Sequence, residues 1–385
     1  MSNPIERLLR EFDEGRISRR EVLRALGLSL VAIPSIGLAQ GGGGRAGGDS
    51  TGRGGGRGNR APADTTRAPA PFEPTGWKTA WFDHLTYQCI DYKKAVPFYA
   101  AVMGWKVRDD DGKRCVMEIS DAVGDAVFIN GYEPPPPPPA PTQQADTGGG
   151  RGGRGGGGGG GGQRAPRMAK IANLAFGIDG WDTNKVEAEL KKRGLNPVAD
   201  HNGDFKSFHV KDPDGFDIQV SNGTRANRHN KAANGKLPGP MPFEPTGWKT
   251  TWVDHLSYGC SDFKRTFAFY EALLGWTQSG NFTGNQVTVD MGDAGGAIIR
   301  NRPGGMTTID HISFGIDGFD PDKVEAELMK RNLGTPARNN PGHLQPDTSS
   351  GGDIHTSRFK SYHTPDPFAW DLQISNVTKS NRHDT

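Results

Sequence analysis

Residues 83–105 read "DHLTYQCIDYKKAVPFYAAVMGW", and residues 254–276 read "DHLSYGCSDFKRTFAFYEALLGW". The second stretch restates the first. Each opens on a run that suits a strand, Trp81–Cys89 in the first copy. It continues into a segment whose apolar positions, Val96, Tyr99, Val102 and Met103, fall at helical spacing. Gly104 then stops the helix.

The correspondence extends outward in both directions. "PFEPTGWKT" stands at 71–79 and again at 242–250. Downstream, "FGIDGWDTNKVEAELKKRGL" is answered by "FGIDGFDPDKVEAELMKRNL". "FKSFHVKDPDGFDIQVSN" from Phe205 is answered by "FKSYHTPDPFAWDLQISN" from Phe359, and "SNGTRANRH" by "SNVTKSNRH". The chain therefore reads as two homologous modules, 71–230 and 242–385, joined by a linker at 231–241. Each module divides again. In the first, strands at Cys115–Ile119 and Ala126–Asn130 follow the first helix, and a strand at Ile171–Ile178 leads to a second helix. Asp182 caps that helix, Val186 and Leu190 face its core, and Gly194 closes it. Strands at Ser207–Val210 and Asp217–Ser221 come next, joined by the turn "KDPDG". The order strand, helix, strands occurs four times.

Composition bounds what else the chain does. Its 385 residues contain 56 glycines, concentrated in Gly41–Gly58 and Gly148–Gly162, with a proline run at Pro134–Pro139. Such tracts bury too little apolar surface to fold. They read as spacers: a Gly/Arg-rich linker over 40–70 and an insert near 133–167 within the first module. The arginines in these tracts lack interleaved aromatics, and a net charge of +2 gives no case for a nucleic-acid partner. Cys89, Cys115 and Cys260 form no metal or redox motif and read as small buried apolar groups. Residues 1–39 carry Ser18-Arg19-Arg20, an apolar run, and the small residues Gly37 and Ala39. This is the order of a bacterial twin-arginine signal peptide. It predicts export to the periplasm or medium, with no stable membrane anchor once the signal is removed.

The "DHLTYQCIDYKKAVPFYAAVMGW" stretch, the "DPDGFDIQV" ending and the paired strand–helix–strand units resemble the vicinal oxygen chelate superfamily. That group includes glyoxalases, bleomycin-resistance proteins and extradiol dioxygenases. The resemblance covers nearly all of 80–222 and 251–376. It implies an α+β fold of four βαβββ units, paired into two cup-shaped mixed sheets with helices on the outer face. It also implies a divalent metal (Fe, Zn, Mn or Ni) that chelates adjacent oxygens of a small substrate, with aromatic substrates among the options.

The strand alternation in "WDLQIS" puts Asp371, Gln373 and Ser375 on one face, with His363 brought beside Gln373 by the intervening turn. The resemblance assigns metal-ligand positions to His255, His311 and Gln373, and an acid–base position to His363. The first module matches these with His84, Asn173, Gln219 and His209. Glutamine stands where the family's ring-cleaving members carry glutamate, and Asn173 breaks the first set further. One ion, in the second module, is therefore expected. Asp371, two residues before Gln373, either orients a histidine or replaces the missing carboxylate ligand. Asp83, Asp254 and Asp310 each precede a site position, and strand alternation turns them to the opposite face. His201 and His355 each lie four residues before the "FKS" phenylalanine, near the cup rim. Trp77, Trp81, Trp248 and Trp252 read as staples holding the lead-in segments to the sheets. The neutral glutamine keeps a second reading open, a metal-free binding protein of the bleomycin-resistance type.

Overall fold

The computed structural model describes residues 66–134, 166–228, 232–279, 282, 284–302, 307–338, 340–347 and 358–382. The expected signal peptide, most of the Gly/Arg-rich linker, the core of the Pro/Gly insert, and His229, His355 and His383 lie outside the described residues.

The first module runs β1 (Thr79–Cys89), α1 (Tyr92–Met103), β2 (Lys106–Asp110), β3 (Arg114–Ser120), β4 (Val123–Ile129), β5 (Ala169–Ile178), α2 (Thr183–Lys192), β6 (Val198–Asn202), β7 (Phe205–Lys211), β8 (Asp217–Ser221) and the short α3 (Arg225–Arg228). The second runs β9 (Thr250–Cys260), α4 (Phe263–Leu274), β10 (Thr277–Gln278), β11 (Gln286–Asp290), β12 (Gly296–Asn301), β13 (Thr308–Ile316), α5 (Pro321–Lys330), β14 (Pro346–Asp347), β15 (Ser361–Pro365) and β16 (Asp371–Ser375). Each module is one 8-stranded sheet, ordered β2-β3-β4-β1-β5-β8-β7-β6 in the first and β10-β11-β12-β9-β13-β16-β15-β14 in the second. α1, α2, α4 and α5 are each followed by three strands of their own unit, so the repeating unit is βαβββ. Its first strand pairs parallel with its last, and the two units of a module meet through the antiparallel pairs β1–β5 and β9–β13. This is the α+β, two-sheet architecture that the family resemblance implies.

Local chemistry explains the helix boundaries. Asp91, Asp182, Asp262 and Asp320 each hold extended backbone and accept a hydrogen bond from a first-turn N–H. Gly104 and Gly275 close α1 and α4 in the left-handed region, at φ 70° and 67°. The free cysteines are buried, as expected, and burial pushes each thiol up to about 12.

The two modules are clasped reciprocally. The lead-in of the first module lies on the last turn of α4. There Thr75 donates from its N to Ala272 O (2.9 Å) and from its hydroxyl to Leu273 O (2.8 Å). The lead-in of the second lies on α1, with Thr246 N to Ala101 O at 2.9 Å and its hydroxyl to Val102 O at 2.7 Å. Each "PFEPTGWKT" thus satisfies carbonyls that a helix end leaves open. Trp77 and Trp248 lie in this clasp, their backbone carbonyls set against Gly275 and Gly104 at the ends of the opposite module's helices and their side chains packed on the shared apolar cluster. Trp105 and Trp276 cross the joint to donate to Thr250 and Thr79 at 2.9 and 3.0 Å.

The turn aspartates complete the joint. Asp212 accepts from Tyr258 at 2.6 Å, and Asp366 accepts from Tyr87 and Tyr99. Burial raises the Asp366 carboxyl to about 6, against the pull of those hydroxyls and two backbone N–H groups. One apolar cluster runs through both modules, with Trp105 edge-on to Phe314 at 5.3 Å and Phe176 to Trp276 at 5.3 Å. Among the described residues, no helix is long and apolar enough to cross a membrane.

Gly275→Ala tests the clasp. An added Cβ would meet the Trp77 carbonyl oxygen at 2.4 Å, whereas one at Gly180, also at φ 67°, would meet nothing within 4 Å. Both substitutions bear the left-handed backbone cost of about 1–2 kcal/mol. Gly275→Ala should lose at least about 1 kcal/mol beyond Gly180→Ala in denaturant unfolding, in the range of a core clash. Equal losses would show that the clasp contributes no stability.

Candidate metal centre

Residues paired directly across neighbouring strands stand on one face of a sheet. In the second module one such row is Gly296, His255, Ser313, Gln373 and His363. The next row is Ile298, Ser257, His311, Asp371 and Pro365. Alternation puts Leu256, Ile312, Leu372 and Ile374 on the reverse face, where they are fully buried in the core. Two adjacent rows of one curved sheet therefore bring together His255, His311, His363, Asp371 and Gln373.

A β-bulge makes this possible. Ser313 pairs with His255 while Phe314 pairs with Val253, which leaves Asp254 as an extra residue in β9. The expectation that Asp254 faces away from His255 is corrected here. Its carboxylate accepts from His255 Nδ1 at 3.0 Å and from the Ser313 hydroxyl at 2.9 Å. The first module repeats the bulge at Asp83, which accepts from His84 Nδ1 at 2.9 Å and the Ser221 hydroxyl at 2.6 Å. Asp310 is extra in β13 and binds Arg302, with Arg167 at 3.8 Å.

His255 turns Nδ1 to Asp254 and Nε2 to His311, whose Nε2 lies 3.2 Å away. Two imidazoles on one ion at about 2.0–2.1 Å would bring their nitrogens about 3 Å apart. His311 is held well below its ordinary pKa by burial first, then by the His255 and His363 charges, with Arg300 and Arg167 adding to them. It is therefore neutral at neutral pH, as a ligand must be. Gln373 is buried. Its Nε2 donates to the Ser361 hydroxyl at 2.7 Å, while its Oε1 has no hydrogen-bond partner among the described residues. A buried acceptor left bare is costly and suits a cation or donor brought in from outside.

His363 sits on the far side of His311, with ring centroids 5.0 Å apart. Its Nδ1 lies 3.0 and 3.1 Å from the Asp371 oxygens, and its Nε2 lies 3.7 Å from Asp347. Burial works against its charge, but Asp347 and Asp371 outweigh it and raise its pKa to about 9. Asp371 also lies 3.9 Å from His311 Nδ1. His311, His363 and Asp371 offer ligand atoms within 4.8 Å of one another. Asp371 is thus spent mainly on His363.

The first module occupies the same positions differently. Asn173, in the place of His311, donates to Gln219 Oε1 at 3.0 Å, so the acceptor left bare in the second module is capped here. Gln219 Nε2 donates to Ser207 at 2.6 Å. Asp125 stands where Gly296 stands, and Arg228 and Arg108 bind it at 3.0 Å each. Arg228 also reaches Asp83 at 3.2 Å, and Lys211 pairs with Asp217 at 3.1 Å. His209 keeps the Asp217 contact at 2.8 Å, with Asp200 at 3.7 Å. The first cup is filled by its own ion pairs.

His201 lies on the edge strand β6, its ring against Phe208 and its Nδ1 accepting from Ser207 N at 3.3 Å. His343 pairs with Glu325 at the surface. The residues that pattern reading missed are Asp347, Ser257 and Arg300. Aligning the repeats signals the last two, which replace Thr86 and Ile129 at matching positions.

In metal-stripped protein, Gln219→Leu removes a satisfied amide and strands Asn173 and Ser207. Gln373→Leu strands only Ser361 and deletes an acceptor that was already bare. Gln219→Leu should cost about 1–3 kcal/mol more in unfolding free energy. Indistinguishable losses would contradict the difference between the cups.

Residues 81–220 match the family described as "Glyoxalase/Bleomycin resistance protein/Dioxygenase superfamily". No curated protein sequence matches the chain. Among solved structures, the chain is similar to the Mn(II)-bound glyoxalase from Novosphingobium aromaticivorans. The TM-score is 0.53 at 13% identity, covering 78% of this chain and 82% of that one. It is also similar to the 2,3-dioxygenase LapB from Pseudomonas sp. KL28, with a TM-score of 0.50 at 13% identity, covering 77% and 92%. At this identity the likenesses speak to fold. Residues 81–220 thus form a domain of the Glyoxalase/Bleomycin resistance protein/Dioxygenase superfamily, and the second module repeats its fold strand for strand.

Proposed function

We propose that the second module is a metal-dependent active site of the glyoxalase–dioxygenase type, acting on a small molecule with two adjacent oxygens. The observation that carries this reading is the meeting of His255 Nε2 and His311 Nε2 at 3.2 Å beside the bare Gln373 Oε1. His255, His311 and Gln373 would hold a divalent ion. Imidazole ligands suit iron, zinc and nickel, the amide oxygen of Gln373 also suits manganese, and the similar glyoxalase is Mn(II)-bound. When bound, the ion supplies Lewis acidity to the substrate oxygens. Asp254 fixes the His255 tautomer. His363, charged and held by Asp371 and Asp347, delivers a proton to the substrate and takes one back. Burial of the apolar reverse face keeps the sheet rigid behind these groups.

The second reading is a metal-free binding cup. It is favoured by the same His255–His311 contact, which is also a sound direct hydrogen bond, and by a ligand set with no carboxylate.

Metal titration of the full chain separates the two. The wild type should take up one divalent ion per chain. His311→Ala should abolish uptake, His84→Ala should leave it intact, and Gln373→Glu should tighten it at least about tenfold by restoring a charged ligand. No uptake by the wild type, or loss in His84→Ala instead, would transfer the function to the metal-free reading.

We also propose that the chain is exported by the twin-arginine route, on the Ser18-Arg19-Arg20 motif and the apolar run behind it. Replacing Arg19 and Arg20 with lysine should leave the precursor in the cytoplasm on fractionation. Unchanged export would refute the assignment.

A further inference from the structure

The inner face of the second cup carries a cation, Arg300, that no carboxylate among the described residues contacts directly. Arg300 follows Ile298 by two residues on β12, so it stands on the face that carries Ser257 and His311, about 7 Å further along the strand. Its cross-strand neighbours are Gly259 on β9, which projects no side chain, and Gln286 on β11. Arg300 Nε is buried and has no hydrogen-bond partner among the described residues, and no carboxylate there lies within ion-pair distance of the guanidinium. The nearby Arg302 and Arg167 are both engaged by the single carboxylate of Asp310. Ser257, fully buried between Arg300 and the His255–His311 pair, also has a hydroxyl without a partner. With Gln373 Oε1, these are three bare polar groups along one face of one cup.

The first module shows that the fold does not require them. Ile129 takes the place of Arg300, and Asp125, with its two arginines, takes the place of Gly296. From the first cup to the second, a carboxylate is lost and an unpaired guanidinium is gained. A guanidinium partly out of water is costly unless an anion meets it, and its planar fork of donors matches a carboxylate. Burial, with Arg302 adding to it, lowers the Arg300 pKa, and Asp310 opposes this only in part.

We propose that Arg300 binds a carboxylate on the ligand of the second cup, so that the substrate carries an anionic group a few bonds from the oxygens facing His255 and His311, with Ser257 bonding the ligand between them. This deepens the metal-site reading and shares its cup, but the anion contact does not depend on the ion.

The test titrates the full chain, metal-free and metal-loaded, with three probes: 3,4-dihydroxybenzoate, its uncharged methyl ester, and catechol. In either form of the wild type the carboxylate probe should bind at least tenfold more tightly than the ester or catechol. Arg300→Gln should erase that preference without changing metal stoichiometry, and Arg300→Lys should restore part of it. Ile129→Arg should add none. If the ion binds but the carboxylate gives no advantage, or if the advantage survives Arg300→Gln, the anion site is wrong and the metal reading stands. If no ion binds yet an Arg300-dependent preference remains, the anion site stands and the metal reading falls.

Discussion

The geometry of the second cup depends on one irregularity, the extra residue at Asp254 in β9. A strand alternates strictly, so a slip of one residue sends every side chain to the other face. Val253 and Leu256 belong to the same apolar cluster although they are three residues apart, an odd spacing that strict alternation would put on opposite faces. The bulge absorbs the odd residue. It lets the apolar lead-in of β9 pack on the core while His255 and Ser257 still face inward, and it leaves Asp254 beside His255 Nδ1 as the group that sets its tautomer. The same device at Asp83 shows that it belongs to the repeat and predates the divergence of the two sites.

The duplication then serves as an internal control on the chemistry. Both modules keep the bulge, the central histidine, the glutamine and the histidine–aspartate pair on the last strands. In the first, the matching positions are partnered, Asn173 with Gln219, Arg228 and Arg108 with Asp125, Lys211 with Asp217, and the Arg228 Nε that makes no hydrogen bond still lies 3.2 Å from the Asp83 carboxylate. In the second, Gln373 Oε1, the Ser257 hydroxyl and Arg300 Nε are left bare. Each bare buried group costs about 1–3 kcal/mol, so together they rival a sizeable fraction of a domain's net stability. The clasp, the shared apolar core and the tyrosine–aspartate bonds between the modules offset such a cost. A self-satisfied module fused to an unsatisfied one lets the first stabilise what the second leaves open.

Much of this was legible from residues alone, because it rests on local rules. The repeat exposed the four units. Asp182 and Gly104 marked helix ends for reasons of hydrogen bonding and backbone angle that operate within a few residues. The alternation in "WDLQIS" placed Gln373 on the inner face, and register sets His363 directly opposite it. What escaped depends on long-range register. Nothing local to "DHL" announces a bulge, so Asp254 was turned to the wrong face. Asp347 approaches His363 from a two-residue edge strand whose position is set only by pairing with β15. Trp77 and Trp248 looked like anchors, but what they anchor to is the other module, which no window along the chain contains. Arg300 was readable in principle, as a charged residue replacing Ile129, but its meaning required knowing that the position faces inward.

Charge ties the proposals together. None of His255, His311 and Gln373 brings a negative charge, so a divalent ion among them keeps its full charge until substrate arrives. Arg300 adds a further unpaired positive charge on the same wall, and Arg167 and Arg302 share one carboxylate. Without Asp125 and with glutamine in the place of glutamate, the carboxylates beside the site among the described residues are already engaged by histidines, Asp254 by His255 and Asp371 and Asp347 by His363. A neutral ligand would leave that imbalance uncompensated. A ligand with a carboxylate and two acidic adjacent oxygens would offset both the ion and the arginine, and its oxygens would ionise more readily there than in water. The glutamine then acts as a selectivity device: by withholding negative charge, the protein makes binding conditional on a substrate that supplies it.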